Sequence, residues 1–192
     1  WCIKISFFSP LNINESHIHG TVKKESVAFL TKGSPFAHAS TVLKMKNGAL
    51  ICAWFSGAEE GAMDTRIWYS IKQPNRPWGR PVMLQDGIEF AHWNPVLYQT
   101  QEGNVRLYYK SNGYAQDWHG YFCESSDFGK TWSEPKEIAY ESDTGLTAGG
   151  PVKNKCLRTS KGLLLAPNSY ETGDVRRAVI EYSTDDGMTW HD

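Results

Sequence analysis

Ser125-Ser126-Asp127-Phe128-Gly129-Lys130-Thr131-Trp132 decides the fold, because it returns as Ser183-Thr184-Asp185-Asp186-Gly187-Met188-Thr189-Trp190. Both read S-x-D-x-G-x-T-W. In a hairpin this spacing has a physical meaning. Asp and Ser/Thr side chains bond the turn backbone, Gly takes the positive-φ position, and Trp comes back to pack on the sheet. The two copies sit inside a longer repeat of turn glycine, strand, polar loop, strand and Trp. Gly48, Gly103 and Gly162 fall 55 and 59 residues apart, and Trp78, Trp132 and Trp190 fall 54 and 58 apart. His38 and His92, 54 apart, read as one recurring position. The first copy is degenerate: it keeps Ser70, Trp78 and Pro81 but carries Gln73-Pro74-Asn75-Arg76 in the turn.

Within one unit, Ser40 to Met45 alternates, turns at the hairpin dipeptide Asn47-Gly48 and returns from Leu50 to Phe55. A loop from Ser56 to Asp64 leads to a third strand at Arg66 to Ser70, and the residues after Pro81 supply a fourth. Four antiparallel strands in about 55 residues describe a propeller blade, and such rings close with about 4–8 blades. The chain therefore reads as all-β, holding about three four-stranded blades of a six-bladed β-propeller truncated at its C-terminus. The blades fall at approximately 38–91, 92–149 and 150–192, and residues 1–37 form a lead-in with a possible outer strand. A piece of this kind, with uncovered blade faces and strand edges, is expected to aggregate alone.

Composition agrees with that architecture and closes off other classes. There are 8 Trp, 9 Tyr and 8 Phe, 13% of the chain, beside 17 Gly, which favours short strands and tight turns over helices. A net charge of −1 argues against a nucleic-acid partner or a basic membrane patch. No apolar run approaches the roughly 20 residues that a membrane span needs. Cys2, Cys52, Cys123 and Cys156 show no CxxC pair and no zinc spacing, so no metal site is expected and buried free thiols are. The chain starts at Trp1, and its first residues could be a strand or the remnant of a leader.

Strand order sorts the remaining residues onto two faces. The S-x-D-x-G-x-T-W turns share one face with the Asn47-Gly48 turn, so Ser125, Asp127, Gly129, Thr131, Trp132 and Ser183, Asp185, Gly187, Thr189, Trp190 are read as structural. The opposite face, called the entrance face below, collects the starts of the inner strands and the loops between second and third strands. It brings together Glu59, Glu60, Asp64 and Arg66; His38, His92, Trp93 and Asn94; Lys110; and Lys153, Asn154, Lys155 and Glu171. Carboxylates, amides, cations and Trp converging on one axis have the composition of a carbohydrate site. Alternation should aim Lys153 and Lys155 one way and Asn154 the other. Asp64 and Arg66 read either as a surface ion pair or as a proton donor beside a cation.

The two boxes, with His38-Ala39-Ser40-Thr41, Ala53-Trp54-Phe55-Ser56-Gly57, Trp93-Asn94-Pro95-Val96-Leu97, Tyr109-Lys110 and Lys153-Asn154-Lys155, resemble the sialidase-like Asp-box (bacterial neuraminidase repeat) β-propellers. The resemblance covers residues 36–192. It implies a six-bladed propeller and an exo-acting glycoside hydrolase that removes terminal sialic acid with retention. In that family an Asp serves as acid/base, a Glu-assisted Tyr as nucleophile and three arginines hold the substrate carboxylate. By this likeness Asp64, or Glu59 or Glu60, falls where the acid/base lies. His38 stands where the first arginine of the triad would be, and it lacks the bidentate fork. The substrate implied is a sialylated or uronate-containing glycan, with no cofactor, and the protein is expected to be exported. The missing arginine keeps open a carbohydrate lyase or a hydrolase of other specificity, as well as a non-catalytic glycan-binding propeller.

Overall fold

The structure is a computed structural model that describes residues 36–113, 117–142, 149–172 and 175–192. Most of the lead-in, with Cys2, lies outside the described residues. The first sheet runs β1 (Phe36–Lys44), β2 (Leu50–Gly57), β3 (Arg66–Lys72) and β4 (Val82–Met83) in spatial order, all antiparallel. The second repeats it with β5 (His92–Gln99), β6 (Val105–Ser111), β7 (His119–Ser125) and β8 (Lys136–Glu137). The third sheet has five strands, ordered β10 (Leu157–Arg158), β11 (Leu164–Thr172), β12 (Val175–Ser183), β13 (Thr189–His191) and β9 (Ala139–Glu141). These are three consecutive blades of a sialidase-like propeller.

β9 departs from the simple repeat. It follows β8 in sequence, within the unit expected to end at 149, yet it pairs in parallel with β13 of the third sheet, Trp190 opposite Tyr140. The chain thus crosses to the outer edge of the next blade before turning inward. The third inner strand is also shorter than expected, because only Leu157 and Arg158 pair and residues 150–155 do not.

Burial explains why the sheets stack. β6 is buried along its whole length, so its alternating side chains serve two interfaces. Val105, Leu107 and Tyr109 join Ile51, Phe55, Ile67 and Tyr69 of the first sheet, whereas Tyr108 joins Leu164, Ala166 and Trp190 of the third. Within the first interface lies a polar knot. Asp86 accepts from the Tyr109 hydroxyl at 2.5 Å and meets His92 Nε2 at 2.7 Å, while His92 Nδ1 donates to the Phe90 carbonyl at 2.7 Å. His92 stacks on the Tyr109 ring at 5.1 Å. Burial raises the Asp86 proton affinity, but the bonds from His92 and Tyr109 outweigh it and hold the carboxyl below its ordinary range.

The Asp-box turns are closed by their own side chains. Asp127 Oδ1 accepts from the amides of Lys130 and Thr131 at 3.0 and 2.9 Å, its Oδ2 accepts from the Thr131 hydroxyl at 2.7 Å, and Ser125 Oγ accepts from the Gly129 amide at 2.8 Å. Asp185 and Ser183 repeat the pattern on Met188, Thr189 and Gly187. Gly129 and Gly187 have φ of 84° and 92°. A Cβ at Gly187 would also lie 2.3 Å from the Tyr108 hydroxyl, so glycine is required twice over. In the degenerate first copy Asn75 takes the left-handed position, φ 59°, and Ser70 Oγ donates instead to the Gly79 carbonyl at 2.8 Å.

Backbone bonds from Thr131, aided by its hydroxyl, drop the Asp127 carboxyl from the usual 3.8 to about 2. A depressed carboxyl stabilises the fold above its unfolded value, and that contribution is lost as the pH falls through the folded one. Asp127→Ala should therefore lower the thermal midpoint by about 5 °C at neutral pH. The gap between parent and variant should close as the pH is taken from about 4 to about 2, as followed by circular dichroism.

Candidate functional site

The inner strands of the first two blades are each broken at the entrance face by a bulge. The β1–β2 register shifts between His38 and Thr41, and the β5–β6 register shifts between Trp93 and Val96. Ala39 and Asn94 sit in these breaks at φ 51° and 47°, and Lys153 takes φ 59° at the matching place in the third blade. The strand register corrects the expected equivalence of the two histidines. His38 pairs with Phe55 as Trp93 pairs with Lys110, whereas His92 pairs with Ser111 as Ala37 pairs with Ser56. His38 and Trp93 are thus the repeat partners.

That pairing lines up four rings across the first two blades. His38 meets Phe55 edge-on at 5.7 Å, Phe55 meets Trp93 at 5.7 Å, and Trp93 lies 5.4 Å from Trp118. Trp93 and Trp118 are half-buried, and the Trp93 indole is fixed by donating to the Asn112 carbonyl at 2.8 Å. The β2–β3 loop folds against this strip: a Cβ on Gly61 would lie 3.1 Å from the Trp93 ring. The same loop carries the acids. Asp64 accepts from the Ala58 amide through both oxygens, at 3.1 and 3.3 Å. Glu60 faces His38 Nδ1 at 3.6 Å with both side chains more than half exposed, at 52% and 59%. Glu59 is exposed beside them.

Several expected ligand-binding residues are occupied elsewhere. His92, 0% exposed, belongs to the buried knot with Asp86 and Tyr109. Asn94 is buried at the bulge, 5% exposed. Arg66 forms no ion pair with Asp64; its guanidinium donates to the carbonyls of Met63, Thr65, Phe90 and Glu89 at 2.7–3.4 Å. Lys153, Asn154 and Lys155 do not alternate on a strand. All three are exposed, and Lys155 Nζ reaches the Val42 carbonyl of β1. Glu171 lies on β11, and its side chain is outside the described residues. Among the described residues no cluster of His, Cys, Asp or Glu could hold a metal ion. Cys52, Cys123 and Cys156 are free thiols.

Lys110 is the largest correction, being 1% exposed between the second and third blades. Its Nζ donates to the Gly149 carbonyl at 2.5 Å, and the amide of the same peptide unit, Gly150 N–H, donates to Glu181 Oε2 at 2.7 Å. Asn168 Nδ2 donates to the other Glu181 oxygen at 2.7 Å. Burial lowers the Lys110 ammonium to about 8 and raises the Glu181 carboxyl to about 7, each opposed by the charge of the other. A glycine pair is needed here because a Cβ on Gly149 would overlap the Tyr140 ring, with a nearest approach of 1.9 Å. No spacing rule could have shown that Lys110 and Glu181 grip one peptide with Asn168 holding the carboxylate. Trp118 is a ring of the strip that the repeat pattern does not single out, its only signal being an aromatic in a polar loop.

Residues 48–192 match the BNR repeat-like domain, and the chain belongs to that family. No curated protein matches the sequence. Among solved structures it is similar to a Hadza microbial sialidase, at 17% identity over 83% of this chain and 37% of that one, with a TM-score of 0.68. A Dyadobacter fermentans protein of unknown function is similar at 15% identity, over 80% and 53% of the two chains, with a TM-score of 0.63. The Penicillium chrysogenum α-L-arabinanase is similar at 14% identity over 81% and 44%, with a TM-score of 0.54. The chain thus spans between 37% and 53% of the length of these three structures. At such identities the likeness establishes the fold, which glycoside hydrolases of different specificity share.

Lys110→Met should destabilise the protein by about 3 kcal/mol by leaving Glu181 buried beside no cation, and Lys110→Met with Glu181→Gln should recover most of that loss. The raised Glu181 favours folding at low pH and loses this effect between the usual 4.5 and about 7. The depressed Lys110 favours folding above the usual 10.5 and loses this effect as the pH falls through about 8. Urea midpoints should therefore show the parent least stable, relative to the double variant, near pH 7–8.

Proposed function

We propose that this chain supplies the acid-bearing part of the site of a glycoside hydrolase, with Asp64 as the proton donor to the leaving sugar oxygen. The carrying observation is the β2–β3 loop, which holds Asp64 by the Ala58 amide while Gly61 rests on Trp93. An oriented carboxyl beside an aromatic strip suits a sugar ring stacked on the rings and protonated from the side. The similar sialidase and arabinanase folds support glycan cleavage as the class of reaction. Exo-removal of sialic acid is the finer form of this reading and follows from the sequence resemblance. It needs a clamp for the substrate carboxylate, and in the first blade that clamp would begin at His38, which already faces Glu60. The wider reading is therefore the one adopted. Export from the cytoplasm goes with it, since such glycans are extracellular.

The test is mass-spectrometric product analysis of the full-length protein on a panel of neutral, sialylated and uronate-containing glycans. Asp64→Asn should cut kcat by about 100-fold or more with the thermal midpoint unchanged. Full activity in that variant removes Asp64 from the role. An unchanged panel with the parent enzyme overturns the hydrolase reading.

A further inference from the structure

Resting on the glycan reading, we infer that the subsite formed by His38, Glu60, Trp93 and Trp118 takes an uncharged sugar ring rather than a sialic acid or uronate carboxylate. Three observations lead there. The acids of the β2–β3 loop, Glu59, Glu60 and Asp64, are all exposed, and Gly61 of the same loop lies against the Trp93 ring. His38 is the titratable group beside them, and Glu60 at 3.6 Å meets any positive charge it gains. Arg66, which ends that loop, is turned onto four main-chain carbonyls, and Lys110 is sealed between blades. Of the other exposed cations, Lys153 precedes the third inner strand, Arg177 lies on β12, and Lys155 is turned onto the Val42 carbonyl.

A carboxylate bound on these rings would thus face like charges and, among the described residues, no free fork to hold it. A neutral ring meets no such penalty. Its apolar C–H face packs on Trp93 and Trp118, and its hydroxyls donate to Glu60 and exchange bonds with His38. The rings are set for this before ligand arrives, since Trp93 is oriented through Asn112 and packed by Phe55 and Trp118. Gly61 is what lets the acidic loop come down close enough to share the ring edge.

Tryptophan fluorescence and saturation-transfer NMR on the full-length protein can compare matched probes, such as lactose with sialyllactose and an arabino-oligosaccharide with a glucuronate-ended one. At low salt the neutral member of each pair should bind about ten-fold more tightly, and the gap should narrow at 0.5 M salt. Trp118→Ala should weaken the neutral probes about ten-fold. Glu59→Gln with Glu60→Gln, surface changes that leave the packing alone, should improve the acidic probes selectively. Equal or tighter binding of the acidic members, or no contact of either kind with Trp93 and Trp118, overturns the inference. The outcome separates from the hydrolase reading. Neutral sugars that bind without any glycan being cleaved would leave the subsite standing and remove the enzyme, whereas cleavage of a preferentially bound sialoside would do the reverse.

Discussion

A single carboxylate bonding the amides of its own turn is the constraint on which the stacking depends. Asp185 fixes the turn that presents Asp186 and Gly187 to the blade before it. Asp186 then accepts from the Tyr98 hydroxyl and the Gln101 amide at 2.5 and 2.8 Å, and its carbonyl accepts from Arg106 at 2.7 Å. The Gly187 carbonyl accepts from the Tyr108 hydroxyl at 3.0 Å. Asp127 does the same one blade earlier with apolar partners, since Gly129 approaches Ile51 and Trp132 meets Tyr69 edge-on at 5.6 Å. A turn free to splay could hold none of these, because each requires backbone within van der Waals reach of the neighbouring sheet.

Cations in this fold answer to carbonyls before they answer to ligands. Sheet ends and bulges leave main-chain oxygens without ladder partners, and burial makes those oxygens costly. Lys46 caps the carbonyls of Thr100 and Gln101, Arg66 caps four around the first loop, Lys110 caps Gly149 and Lys155 caps Val42. Long side chains satisfy such oxygens at a distance, which is why residues that look like a basic site in sequence are spread through the framework instead.

The strands and boxes were legible in the sequence because their signals are local. Asn47-Gly48 and the alternation around it give β1 and β2 closely, and S-x-D-x-G-x-T-W states its own hydrogen bonds. The bulges were not legible. A left-handed residue at Ala39 or Lys153 has no residue-type signature, whereas the misalignment of the repeat by one has another source: His38 and His92 lie 54 apart while the turn glycines Gly48 and Gly103 lie 55 apart. That one-residue difference moves His92 from the entrance to the interior, since one step along a strand reverses its side chain. The Lys110–Gly149–Gly150–Glu181 contact joins residues of different blades, a distance that periodicity cannot see. β9 was hidden for the same reason, its partner β13 lying some fifty residues further along the chain.

The bulge also explains how a repeat becomes a site. The same break occurs at Ala39 and Asn94, and Lys153 repeats the left-handed backbone ahead of the third inner strand, so the residues before these positions are His38, Trp93 and Val152. The backbone geometry is shared, and the chemistry differs blade by blade. Val152 is buried at 4% exposure, whereas His38 is open and Trp93 half-open. Function on this face therefore lies in the departures from the repeat. The structural face is the reverse case, where Asp127 and Asp185 match because the turn admits little else. An acid that recurs has its lone pairs taken up by two turn amides and a hydroxyl, whereas Asp64, which occurs once, accepts from the single Ala58 amide and keeps lone pairs for something else.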